Sequence, residues 1–107
     1  MKRTVAAILA LTSLGAVLTG CSPSPEDKAK AAVAERLRDP DSAKFRNVVS
    51  GTNSEGLDAV CGEVNGKNAF GAYSGYERFM TNTDAKFVYL ESEQPQKFAI
   101  AWITQCP

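Results

Sequence analysis

The sequence predicts an α+β fold in which one N-terminal helix packs on a four- to five-stranded antiparallel sheet. Three observations predict it. Residues 28–38 are Ala-rich, and Ala29, Val33 and Leu37 recur every fourth residue, the spacing of one helical face. From Phe45 onward the pattern changes to short apolar runs broken by Gly, Asn, Asp and Pro, which read as strands and turns. The links between these runs are short, which favours antiparallel neighbours. The chain has 107 residues, enough for one small domain. Its 12 Lys and Arg balance 12 Asp and Glu, so it has no general attraction for nucleic acid. It contains no His, which removes the usual general base and the commonest metal ligand.

The first twenty residues read as an address. Lys2 and Arg3 supply positive charge, and residues 5–18 are apolar or small apart from Thr12 and Ser13. This is the layout of a secretory signal peptide over residues 1–20. It is shorter than the roughly 20 apolar residues that cross a bilayer. Leu18-Thr19-Gly20-Cys21 resembles the bacterial lipobox. The resemblance implies cleavage before Cys21, a diacylglyceryl group on its thiol and an acylated amine, which makes the chain a bacterial lipoprotein anchored in the membrane. Two or more acyl chains hold a protein stably, whereas one holds it only marginally. Residues 21–24 are then a lipidated tether, and residues 25–107 form the single domain. Ser22 stands where Asp would retain a lipoprotein at the inner membrane of a two-membrane bacterium. The implied place is the outer membrane, facing the periplasm.

Cleavage leaves 87 residues and removes two cations and no acids, so the mature net charge is −2. A domain of this size gains from a covalent staple. With Cys21 committed to lipid, Cys61 and Cys106 remain, and an oxidising compartment makes them a disulfide. No Cys-x-x-Cys spacing and no His favour a reactive thiol instead.

Within the domain, Ser24 reads as a helix cap, Pro25 as the first helical residue, and Glu26 and Asp27 as acids at the positive helix end. Lys28, Lys30, Glu35, Arg36 and Arg38 form a solvated face. Pro40 ends the helix. Asp39 reads as the cap of a second short turn, and Phe45 as the apolar anchor of that corner. Residues 46–50 read as the first strand, ended by Gly51, and residues 57–64 as the second. Residues 76–81 are the third, followed by a turn at Asn82-Thr83-Asp84. Residues 86–92 are the fourth, with Gln94-Pro95-Gln96 as its turn. Residues 97–106 read as a fifth strand with Phe98, Ile100 and Trp102 on one face and Ala99, Ala101 and Ile103 on the other. Apolar side chains on both faces make it a central strand.

Six of the eight glycines fall between 51 and 75. The segment after Cys61 carries Asn65, Lys67 and Asn68, then Phe70, Tyr73 and Tyr76 at intervals of three. Tyr and Asn combine contact area with hydrogen bonding at low ordering cost, so the segment is a candidate binding loop. The same residues also build turns, and each aromatic fits either a contact surface or a plug at the open end of the sheet.

Asp39-Pro40-Asp41-Ser42-Ala43-Lys44-Phe45-Arg46, Cys61-Gly62-Glu63-Val64-Asn65 and residues 67–76 together resemble a family of small exported proteobacterial and phage proteins. No activity and no catalytic residue follow from that likeness. Ser74-Gly75-Tyr76 with the later Cys106 is similar to periplasmic lysozyme-inhibitor lipoproteins, which are small disulfide-pinned β domains.

The expected function is that of a non-enzymatic binding or accessory module on the periplasmic side of the membrane. Its expected partner is an envelope protein or cell-wall component. One alternative is an inhibitor of a cell-wall hydrolase, with Lys67 or Ser74 aimed at the enzyme's acids; another is a phage-encoded exclusion lipoprotein. The enzymatic alternative is a hydrolase that pairs Glu63 with Asp58 or Glu77, since two carboxylates do such work when held close together. No cofactor or metal is expected, because His is absent and the cysteines are committed. No phosphate-binding glycine loop is present either.

Overall fold

A computed structural model describes residues 23–107. The signal peptide, Cys21 with its lipidation, and Ser22 lie outside the described residues. The first helix, α1, spans Pro25–Arg36 and starts as its sequence dictates. The Asp27 amide donates to Ser24 Oγ at 3.2 Å, and Pro25 occupies the first turn, where no amide partner is needed. Ala29 and Val33 are fully buried, and Leu37 at the helix end packs on the same cluster.

A single 3-10 turn, Pro40–Ser42, follows. The expected Asp39 cap is not made: its side chain bonds no amide of that turn. The Ser42 hydroxyl instead donates to the Asp39 carbonyl at 2.7 Å and closes the turn from its other end.

Four strands come next: β1 Lys44–Thr52, β2 Asp58–Asn65, β3 Glu77–Thr81 and β4 Val88–Leu90. They form an antiparallel meander in the order β1-β2-β3-β4. Gly51 does not end the first strand, since it pairs with Ala59 inside the ladder. Phe45 is a strand residue, not merely a corner anchor. It pairs with Val64, and its ring meets Phe79 edge-on at 5.7 Å between centroids.

The expected fifth strand is a helix. Pro95–Gln105 forms α2, and the sheet has four strands. In a continuous apolar run, period 2 and period 3.6 both find matches. The helical solution places Phe98, Ala101, Trp102 and Cys106 on one side, where they pack together on the sheet. It also uses Pro95 as the first helical residue, where the missing amide costs nothing.

The helices lie on opposite faces of the sheet. Val60, Val64, Phe79 and Leu90 face Ala29 and Val33 of α1. Ala59, Cys61 and Met80 face Phe98 of α2. The strand covered on both sides is therefore β2, buried almost throughout from Ala59 to Val64. Gly62 leaves room over β2 for side chains from the two flanking strands. A methyl group there would meet Val48 Cγ2 at 2.9 Å and the Phe79 ring at 3.0 Å. A bulge in β1 supports this packing. Between the pairs Arg46–Glu63 and Val49–Cys61, the two residues Asn47 and Val48 oppose the single residue Gly62, and Asn47 takes a φ of 53°. In an unbroken strand Phe45 and Val48 would face opposite sides, and the extra residue turns both toward α1.

Cys61 on β2 and Cys106 just past α2 form a disulfide with Cα atoms 6.0 Å apart. The bond fastens α2 to the sheet centre. In the chain-entropy view, closing a loop of this length gives up to about 4 kcal/mol. Reduction should lower the unfolding free energy by up to about 4 kcal/mol, read from urea unfolding curves with and without reductant. Gly62→Ala should cost about 1–3 kcal/mol by overpacking in the same assay.

Candidate functional site

The segment between β2 and β3 is an ordered hairpin. Lys67 and Tyr73 pair as an isolated antiparallel bridge. Asn68 builds the turn between them. Its Oδ1 accepts from the Phe70 amide at 2.9 Å and the Ala72 amide at 3.2 Å, and its carbonyl accepts from the Gly71 amide at 3.0 Å. Gly71 supplies the left-handed residue at φ 76° that the turn requires. Asn53 builds the β1–β2 turn in the same way, accepting from the Glu55 and Leu57 amides at 2.9 Å each. Asn65 closes the hairpin base by accepting from the Gly75 amide at 3.2 Å. Asn65 and Asn68 thus spend their side-chain oxygens on the backbone.

Ser42 pins this hairpin to the 3-10 turn. Its hydroxyl accepts from the Lys67 amide at 2.8 Å, and its carbonyl accepts from the Tyr73 hydroxyl at 2.9 Å. Ser42 is buried, so these bonds form away from competing water. Leu37 closes over Gly66 at the root. The hairpin is held from its base to Tyr73, and beyond that point Phe70 stands 93% exposed.

Beside the hairpin, β1 supplies cations. The Lys44 ammonium lies 4.4 Å from the Tyr73 ring centroid, with Lys67 5.8 Å from the same ring. The Arg46 guanidinium lies 3.8 Å over Tyr76 and is ion-paired with Glu63. Tyr73 and Tyr76 each keep 37% of their surface exposed. Each ring therefore packs against a cation while keeping part of its surface exposed. Cations on aromatic faces hold the rings in fixed positions at a cost of order 1 kcal/mol to displace. Leu37, Arg38, Lys67, Ser74, Tyr76 and Glu77 also line a groove of about 340 Å³.

Charge on the α2 side of the sheet is ordered by register. Arg46 pairs with Glu63, Glu63 lies opposite Arg78, and Arg78 bonds Glu91 at 2.6 Å. Arg78 also stacks on Trp102 and Phe98 at 5.0 and 5.5 Å. Its guanidinium holds the Glu91 carboxyl below the usual range. The Ser50 hydroxyl does the same for Glu26, donating at 2.5 Å.

The carboxylates considered for hydrolysis do not converge. Glu63 faces α2, whereas Glu77 lies opposite Val64 on the α1 side and accepts from the Ser92 amide. Asp58 is five residues from Glu63 along β2, hence on the other face and roughly 17 Å away. It takes a hydrogen bond from Thr52 Oγ1. Among the described residues, no group of three or more His, Cys, Asp or Glu is placed to hold a metal ion. Sequence reasoning found the loop but missed Ser42, Lys44 and Arg46. Lys44 and Arg46 alternate around Phe45, a period-2 signal for one strand face, yet their rings are known only from cross-strand register.

Ser42→Ala should speed amide exchange across residues 66–73 and cost about 1–3 kcal/mol, because the Lys67 amide loses its acceptor. Tyr73→Phe should cost about 1 kcal/mol or less and leave the turn at Asn68 intact. A Glu with a lowered folded pKa stabilises the fold above its ordinary value near 4.3, and that contribution is lost as pH falls through the lower folded value. Glu91→Gln should therefore flatten the acid limb of stability below about pH 5, read as the urea midpoint against pH. Comparison of the chain with protein-family models, curated proteins and solved structures finds no match, so the hairpin and its cation-flanked rings are what a functional reading must rest on.

Proposed function

We propose that the protein is a membrane-anchored periplasmic lipoprotein that works as a non-enzymatic binding or accessory module. The observation that carries the binding role is the pinned 66–76 hairpin, with Phe70 exposed at its tip and Tyr73 and Tyr76 held beside Lys44, Arg46 and Lys67. A preordered arm loses little freedom on binding, so more of its contact energy appears as affinity. Exposed aromatic and cationic groups are the residue types that anchor recognition surfaces. Lys44 and Lys67 make no ion pair with the carboxylates among the described residues, so the surface favours an acidic partner. The anchor rests on the lipobox at Leu18 to Cys21, and the separated carboxylates favour contact over catalysis.

The same hairpin supports a second reading, inhibition of a cell-wall hydrolase. A narrow arm with an apolar tip and a nearby ammonium fits an acidic cleft better than a flat surface. Inhibition of a peptidoglycan hydrolase by micromolar protein, lost in Phe70→Ser and Lys67→Glu, would establish it. Absence of inhibition across several lysozyme classes would reject it.

The binding role is tested by capture from envelope extract with wild type, with Phe70→Ser plus Lys67→Glu, and with Ile100→Ser as an exposed control away from the hairpin. The wild type and the Ile100 variant should recover the same partner, and the double variant should lose it. Equal recovery by all three would reject the hairpin as the site.

A further inference from the structure

The meander sorts its loops to two ends. The β1–β2 turn, the β3–β4 turn and the chain terminus share one end: Asn53 Nδ2 donates to the Thr104 carbonyl at 2.6 Å, and Pro107 packs at Gly51. The start of α1 joins that end, since Ser50 Oγ bonds Glu26. The end of α1 lies at the other, where Leu37 covers Gly66 at the root of the hairpin. A twelve-residue helix rises about 18 Å. The Phe70 tip is therefore separated from the tether's attachment point by at least about 20 Å, counting a short strand beyond the helix.

We infer that the two ends have separate duties: the tethered end faces the bilayer, and the hairpin is presented away from it to an acidic macromolecule lying outside the membrane, not to the headgroups of the membrane that carries it. This rests on the lipid-anchored reading of Cys21. The tether has four residues and spans at most about 14 Å. Ser24 has an extended backbone at the helix cap, the conformation that Pro25 favours in the residue before it. The attached end is thus held close to the lipid surface at all times.

Lys44, Arg46 and Lys67 sit at the far end. They lie beyond the roughly 10 Å over which salt lets a surface potential act, so the bilayer's own charge does not occupy them. A partner fixed in the layer above, with exposed carboxylates, meets Lys44 and Lys67 first.

The test uses the full-length protein, processed in cells and purified with its lipid, in vesicles of phosphatidylethanolamine and phosphatidylglycerol that carry a headgroup-attached quencher. Ser54→Cys and Ala69→Cys, labelled separately with a fluorophore after oxidative folding, report the two ends. Loss of fluorescence at 54 with retention at 69 is expected. Equal quenching at both positions, or stronger quenching at 69, would overturn the orientation and assign the hairpin to lipid. Mass spectrometry of the same preparation separates the two readings. A missing diacylglyceryl mass on Cys21 rejects the anchor and the orientation with it, whereas a lipidated protein with a quenched tip rejects the orientation alone.

Discussion

A sheet that is apolar on both faces needs cover on both, and this requirement organises the molecule. β2 has Val60 and Val64 on one side and Ala59 and Cys61 on the other, all buried. One helix can shield only one of those faces. α1 covers the first with a stripe that is little wider than Ala29 and Val33. The second would meet water if residues 95–105 did not fold back across it. The disulfide holds that return in place by fixing the end of α2 to β2 itself. On the α1 face, Gly62 leaves room for Val48 and Phe79 of the flanking strands, and the β1 bulge is what turns Val48 toward that face.

The rigid body in turn makes the hairpin an arm and not a loose loop. Ser42 is the link. It closes its own 3-10 turn, accepts the Lys67 amide and receives the Tyr73 hydroxyl, all from a buried position. Order in the 66–76 segment is therefore borrowed from α1 and β1 through one serine. The alternating Arg and Glu side chains on the α2 face continue that frame across the strands. Exposed ion pairs of this kind add little individually, about 0–1 kcal/mol each. Their use is to orient Arg46 over Tyr76 and Arg78 over the α2 rings.

How much of this was legible depends on the range of the signals. α1 was readable because everything it uses is local: Ser24, Pro25 and a four-residue apolar spacing. The meander was readable because short links and Asn- or Gly-based turns are local too. α2 was misread because Phe98 to Thr104 is rich in β-branched and aromatic residues, which favour strands in isolation. Tertiary demand for a second covering helix overrode that preference, and Pro95 was the one local mark of it. The β1 bulge was not legible, since it turns on Asn47 in a left-handed conformation and on Phe45 and Val48 having to share a face. The hairpin was found from its Asn and Gly content, but two of its asparagines prove to be turn builders. Lys44 and Arg46 come from another strand and become part of the site only through register.

The central claim is that the protein acts by contact through the exposed tip of a pinned hairpin. Site-specific photo-crosslinking in living cells of the native host addresses it most directly. A photoreactive residue replacing Phe70 should trap a discrete partner of fixed mass, and the same residue at Ser54 should not. No adduct at 70, or the same adduct from both positions, would contradict the account.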